Sequence, residues 1–182
     1  FGCISLIAEP CGSVYEALMV REAPRRVMFL DPNIREIFIA DRQKHLARMR
    51  RMITLADIVK LSDEDLAWFA EPGEEHEVIG RWLALGPKLI VVTRGADGAD
   101  AWTADFHLHV PAIRVAVADT VGAGDTVNAG ILASLSQAGL LEKEKLVTLS
   151  REQVRQAVDL GMRAAAVTVS RPGANPPWDH EL

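Results

Sequence analysis

The 182-residue chain reads as an α/β protein. A mostly parallel sheet carries helices on both faces, with antiparallel hairpin strands at one edge. Three observations predict this class. Short continuous apolar runs, KLIVVT at residues 88–93 being the clearest, have the composition of strands buried on both faces, as parallel strands are. Longer segments with helical spacing lie between them, and strand–helix alternation builds parallel sheets. From residue 95 the pattern turns short, glycine-rich and alternating (GADGADAW, FHLHV, AIRVAV), which suits hairpin strands.

Taken in order, CISLI at residues 3–7 predicts a strand, and GSVYEALMVREA a helix opened by Gly12 and Ser13. RVMFLD at 26–31 is the next strand, stopped by Pro32 and Asn33. A helix is expected over roughly 41–55, then a strand over DIVKL at 57–61. Ser62 and Asp63 are N-cap types and open a short helix, DEDLAWFA. Another helix covers residues 75–85, with Gly86 and Pro87 as its stop. After the hairpin region, helices are predicted at about 124–138 and from 152 to about 168.

The composition is that of an ordinary globular protein, with 49% hydrophobic and 25% charged residues. A net charge of −5 argues against nucleic-acid and anionic-membrane partners. The basic run RQKHLARMRR at residues 42–51 is expected to be a solvated helix face. Cys3 and Cys11 are too few for a disulfide framework and lack zinc spacing. No run has the length of a membrane span and no signal peptide is visible, so the cytoplasm is the expected compartment. The chain begins at Phe1, inside an expected strand, and is therefore expected to be a piece of something longer. An apolar sheet edge near residues 3–7 would then be exposed. His107 and His109 alternate on one strand face and are read as exposed residues, not as metal ligands.

In parallel sheets ligands sit beyond the carboxyl ends of the strands. Those ends carry Asp31-Pro32-Asn33, Leu61-Ser62, Thr93-Arg94-Gly95 and residues 119–125. The last segment belongs to DTVGAGDTVNAG, where Gly122, Ala123 and Gly124 stand between two aspartates. Glycine allows a sharp turn and close approach to the backbone. A helix beginning there offers unpaired N–H groups at its positive end, an anion site. An acid beside such a site repels the anion, but it is useful if it takes a proton from whatever attacks that anion. No Gly-Lys-Ser/Thr ending of a P-loop occurs, and Val127 stands where a dinucleotide fingerprint needs glycine.

DTVGAGD resembles the Asp-Thr-x-Gly-Ala-Gly-Asp signature of the ribokinase-like, or PfkB-type, carbohydrate kinases. FLDPNIR is similar to that family's Asp-Pro-Asn-x-Arg segment, VVTRGADGA to its nucleotide loop, and AAAVTVSRPGANP to its C-terminal helix and loop. The chain looks most like the bacterial fructokinases. The resemblance implies a three-layer ribokinase-like fold, of which residues 1–182 are the C-terminal, nucleotide-binding portion of a single kinase domain. The N-terminal strands, much of the sugar site and the β lid would be missing, so this portion alone is expected to be inactive.

The implied activity is phosphorylation of a sugar hydroxyl by ATP with Mg²⁺, fructose being the expected acceptor, in a homodimer at full length. The alternatives are a 2-keto-3-deoxygluconate or nucleoside kinase, or an inactive nucleotide-binding remnant. The resemblance implies that amides of Gly122, Ala123 and Gly124 cradle the γ-phosphate while Asp125 takes the hydroxyl proton. It implies a monovalent cation, potassium in the members that depend on it, held by Asp119 with the carbonyls of Val121, Thr168, Arg171 and Gly173; a strand-end aspartate satisfying loop amides is the other reading of Asp119. Thr93 and Gly95 match nucleotide-contacting positions, with Lys60 lending charge to the phosphates. Met162 would lie by the adenine or serve as a core residue. Arg35 would reach sugar or phosphate, or form a surface ion pair. The family's Asn-x-x-Glu motif aligns with Ser62 and Asp65, a departure that leaves Asp65 to act on Mg²⁺ through water.

Overall fold

The strands at Ile58–Ser62 (β2) and Leu89–Thr93 (β3) have almost no exposed side chain in the computed structural model, which describes residues 1–182 apart from the side chain of Cys3. They pair in parallel from Ile58↔Leu89 to Ser62↔Thr93, and Phe29–Leu30 (β1) pairs in parallel with the start of β2. Val59, Leu61, Ile90 and Val92 face one core, while Ile58, Leu89 and Val91 on the opposite face are equally buried. Burial on both faces is why these runs are continuously apolar rather than alternating. With Ala99–Trp102 (β4) and His107–Val110 (β5) the strands form a mixed, mostly parallel sheet in chain order.

The chain divides into two compact units, Phe1–Thr93 with Trp102–Asp105, and Arg94–Ala101 with Phe106–Leu182. In the first, helices Cys11–Glu22 (α1), Arg42–Leu55 (α2), Asp63–Trp68 (α3) and Glu75–Leu85 (α4) supply the core with Met19, Met49, Met52, Ile53, Trp68, Ile79 and Trp82. Phe69 sits between two tryptophans, its ring edge-on to Trp68 at 5.5 Å and Trp82 at 4.8 Å. Such pairs are worth about 0.5–1.5 kcal/mol beyond area burial. Asp41 caps α2 by accepting Lys44 N–H at 2.9 Å, and Ser62 forms a capping box with Asp65 at α3.

The second unit is built on Ala123–Gln137 (α5) and Arg151–Val169 (α7), with a short helix, Lys143–Leu146 (α6), between them. α5 and α7 pack backbone to backbone: a Cβ on Gly130 would lie 2.5 Å from Gly161 Cα. The four-residue link between the neighbouring strands β4 and β5 requires them to run antiparallel.

Three expectations are corrected. Cys3–Leu6 is a 3-10 turn; the extended pairing lies just before it, where Gly2 bridges Asp31 and Asp31 N–H donates to Phe1 O at 2.8 Å. AIRVAV (112–117) forms no strand; all but its first residue are exposed, so alternation has no core to serve. The basic run of α2 is not wholly solvated, because His45 and Arg48 are buried on the side that carries Met49 and Met52. Arg48 is fully engaged there, donating to Leu6 O at 2.8 Å, Glu9 at 2.6 Å, Glu16 at 3.0 Å and Ser13 Oγ at 3.1 Å. Among the described residues no helix is long and apolar enough to cross a membrane.

Candidate active site

In the first unit the polar residues at the strand ends bind one another. β1 runs into Asp31-Pro32-Asn33-Ile34-Arg35, where Asn33 takes a left-handed conformation (φ 43°) that asparagine tolerates better than most residues. Lys60, inside β2, donates from Nζ to Asp31 Oδ2 at 3.1 Å, and both side chains are buried. Two buried opposite charges at this distance neutralise each other; either one alone would be costly. Asp65 is likewise buried, its Oδ1 accepting Ile34 N–H at 2.8 Å and its Oδ2 accepting Ser62 N–H at 3.2 Å. It fastens the 31–35 segment to the start of α3. Arg35 is exposed, with Nη1 donating to Ile34 O at 2.9 Å. Thr93, half-buried at the end of β3, points its hydroxyl at Leu61 O over 3.4 Å.

The second unit holds the remaining candidates. Gly95 has φ 52° and open space around its Cα. Beside it Arg94 donates to Asp100 Oδ2 at 2.7 Å, while His107 Nε2 and His109 Nδ1 lie 2.9 and 3.1 Å from Asp100 Oδ1. Burial raises the Asp100 pKa, but these hydrogen bonds outweigh it and hold the carboxyl below its usual range. Among the described residues no group of His, Cys, Asp and Glu has the arrangement of a metal site. Met162 is buried on α7.

The glycine loop is secured from behind. Val169 O accepts both Ala118 N–H (2.7 Å) and Asp119 N–H (3.2 Å). Asp119 Oδ1 accepts Val121 N–H at 3.0 Å, and its Oδ2 accepts Gly173 N–H at 2.9 Å, 54 residues away. These backbone donors, Val121 first, hold the Asp119 carboxyl below its ordinary pKa. The carbonyls of Thr168 and Gly173 accept Arg171 N–H and Asn175 N–H, and Arg171 pairs with Glu181. Gly122 caps α5 in the left-handed region (φ 81°), and a Cβ there would meet Ala174 Cβ at 3.1 Å. Among the described residues no side chain caps α5. Ala123 N–H reaches Thr120 O only at 3.3 Å, and the amides of Gly124 and Asp125 meet no acceptor among the described residues. Asp125 stands exposed in the first helical turn. The result is an open helix N-terminus with outward amides and one carboxylate beside them.

A family model for pfkB carbohydrate kinases matches residues 3–181. The chain belongs to this family. A fructokinase of Rhizobium leguminosarum bv. trifolii is 52% identical over 159 residues, covering 87% of this chain and 49% of that protein. A probable fructokinase-7 of Arabidopsis thaliana is 30% identical over 181 residues, covering 97% and 51%. Among solved pfkB-type structures, the Xylella fastidiosa fructokinase with bound ATP matches with a TM-score of 0.87 at 25% identity, over 95% of this chain and 55% of that one. A Vibrio cholerae O395 fructokinase double mutant, bound to fructose, ADP and potassium, matches with a TM-score of 0.81 at 27% identity, over 95% and 54%. The pfkB chain described here therefore spans about half the length of the relatives it matches, and its fold is the ribokinase-like α/β fold they share.

Sequence reasoning found the loop because its residues are contiguous. It did not foresee that Lys60 is joined to Asp31, or that Asp65 is spent on backbone amides. Those contacts join residues 29 and 31 positions apart, and no local spacing encodes them.

Proposed function

We propose that the full-length protein transfers the γ-phosphoryl group of ATP to a sugar hydroxyl, with fructose as the acceptor. The observation that carries this is the open N-terminus of α5, where the amides of Gly124 and Asp125 have no acceptor and Asp125 is exposed beside them. Phosphoryl transfer asks a protein mainly to position groups and to stabilise charge on the transferred oxygens. Oriented amides and the helix dipole supply that charge stabilisation. Asp125 accepts the hydroxyl proton as the acceptor oxygen attacks phosphorus and the bond to the ADP oxygen breaks. ATP-bound and fructose-bound fructokinases of similar fold support the choice of both substrates.

Within the first unit, Arg35 is the cation exposed for sugar or phosphate. Lys60 contributes through Asp31, and Asp65 would meet the Mg²⁺ of ATP only through water, since each of its oxygens already accepts an amide. At the end of β3 in the first unit, Thr93 is the nucleotide position; within the second, Gly95 offers backbone to the nucleotide, and the buried Met162 fits the core role better than an adenine contact. Asp119 with the carbonyls of Val121, Thr168, Arg171 and Gly173 supplies the hard oxygens a monovalent cation wants, although both Asp119 oxygens and the carbonyls of Thr168 and Gly173 already accept amides and would have to share them with the ion. Such an ion would add positive field behind the loop.

ADP release by the full-length protein, measured with fructose, glucose, 2-keto-3-deoxygluconate and a nucleoside in potassium and in sodium, tests the reading. Fructose should give the highest kcat/KM. A riboside is the alternative acceptor, supported by the similar fold of an aminoimidazole riboside kinase from Salmonella enterica (TM-score 0.81, 26% identity). ATP binding without turnover of any acceptor would instead favour a nucleotide-binding remnant.

A further inference from the structure

The backing of the glycine loop includes two buried hydroxyls that the proposed chemistry leaves unused. Thr168, in the last turn of α7 and fully buried, has its Oγ1 3.1 Å from Thr126 Oγ1 and 3.1 Å from Ala164 O. Thr126, also buried, donates from Oγ1 to Gly122 O at 2.8 Å, alongside the bond from its own N–H to the same oxygen at 2.9 Å. A hydroxyl has one proton to give. With that of Thr126 on Gly122 O, its oxygen is left to accept from Thr168, whose single proton is shared between Thr126 Oγ1 and Ala164 O, both at 3.1 Å. A threonine bonding the carbonyl four residues back is a common local habit. The second hydroxyl, 42 residues away, is not local, and a buried hydroxyl is costly unless it is bonded.

Gly122 O belongs to the same rigid peptide unit as Ala123 N–H. Fixing the carbonyl therefore fixes the direction of the amide that leads the anion cradle. Val169 O, one residue after Thr168, already holds the amides before the loop, so the end of α7 constrains the loop on both sides. We propose that Thr126 and Thr168 are positioning residues for phosphoryl transfer, a hydroxyl chain through which α7 sets the aim of the amides at 123–125. This rests on the kinase reading above.

In the full-length protein, Thr126→Val and Thr168→Val should each lower kcat for fructose by roughly three- to tenfold, the worth of one hydrogen bond. KM for fructose should stay near its unmodified value, and the double variant should lose less than the product of the two. Thr126→Ser and Thr168→Ser, which keep the hydroxyl, should recover the rate. The ¹⁵N-resolved amide signals of Ala123 and Gly124 should move in the Val variants and return in the Ser variants, a readout independent of turnover. Unmoved amides in Thr168→Val, or a rate loss shared by the Ser variants, would overturn the proposal. A protein that phosphorylates no acceptor, yet shows those shifts, would keep the positioning role and overturn the kinase reading.

Discussion

The strand-end cluster of the first unit and the glycine loop of the second use polar groups in opposite ways. Around β1 and β2 the charges are turned inward: Lys60 on Asp31, and Asp65 on the amides of Ile34 and Ser62. At the start of α5 the bonds lie behind the loop, through Asp119, Val169 and Thr126, and the face they support is left without acceptors. Buried polar groups must be bonded, and the first cluster obeys this within itself. The second exposes donors and an acid whose partners have to come from outside. A ligand site is marked less by its polar residues than by which of them the fold leaves unused.

The largest effect expected from this contrast is at Asp125. Asp125→Asn in the full-length protein should lower kcat roughly 10²–10⁴-fold, as loss of a general base does. ATP affinity by calorimetry should hold or improve, because a negative charge beside the phosphates is gone. Near-normal turnover would mean that the exposed acid is a bystander and that the contrast has been read backwards.

On the other side, Lys60→Met should act first on stability. It removes the buried cation that faces the Asp31 carboxylate, at a cost of up to roughly 3–5 kcal/mol, while the double change with Asp31→Leu should restore much of the loss. Urea unfolding of the three proteins decides the point. An unchanged midpoint with a raised KM for ATP would move Lys60 from the scaffold to the ligand.

A smaller effect comes from His45, buried on α2 with its ring edge-on to Trp68 at 5.8 Å and no partner for Nδ1 among the described residues. Burial, and then the charge of Arg48, lower its pKa below the ordinary 6.5. The folded protein then binds fewer protons than the unfolded chain below that pH. Stability should accordingly fall as pH drops below about 6.5, by up to about 1.4 kcal/mol per unit, until the folded pKa is passed. His45→Phe should be flatter than the unmodified protein over that window. Equal slopes would remove His45 as the cause.

Much of this was legible in the sequence. β2 and β3 announce themselves by continuous apolar runs, and Ser62 marks the start of α3 by its chemistry. The helix that opens inside DTVGAG begins at Ala123, directly after the left-handed Gly122, because those residues are local to the structure they make. Residues 3–7 were not legible: CISLI suits a strand, yet the bridge to Asp31 comes at Gly2 and the run folds into a 3-10 turn. The alternation of residues 112–117 is real but meets no core, and alternation predicts a strand only where one face is buried. Arg48 looked like a surface charge because its four acceptors lie 32 to 42 residues away in sequence. The grip of Asp119 on Gly173 spans a comparable distance and is hidden for the same reason.

The crossing of α5 over α7 at Gly130 and Gly161 works as a fulcrum. From there to the first residue of α5 is roughly 10 Å at the helical rise of 1.5 Å per residue. Carbon atoms need about 3.5–4.0 Å between them, whereas a methyl on Gly130 would have 2.5 Å. A side chain at this pivot would wedge the helices apart and tilt the arm that ends in the loop, though it touches no ligand. The tilt of the glycine loop is thus set two helical turns away, by a pair of residues with no side chain.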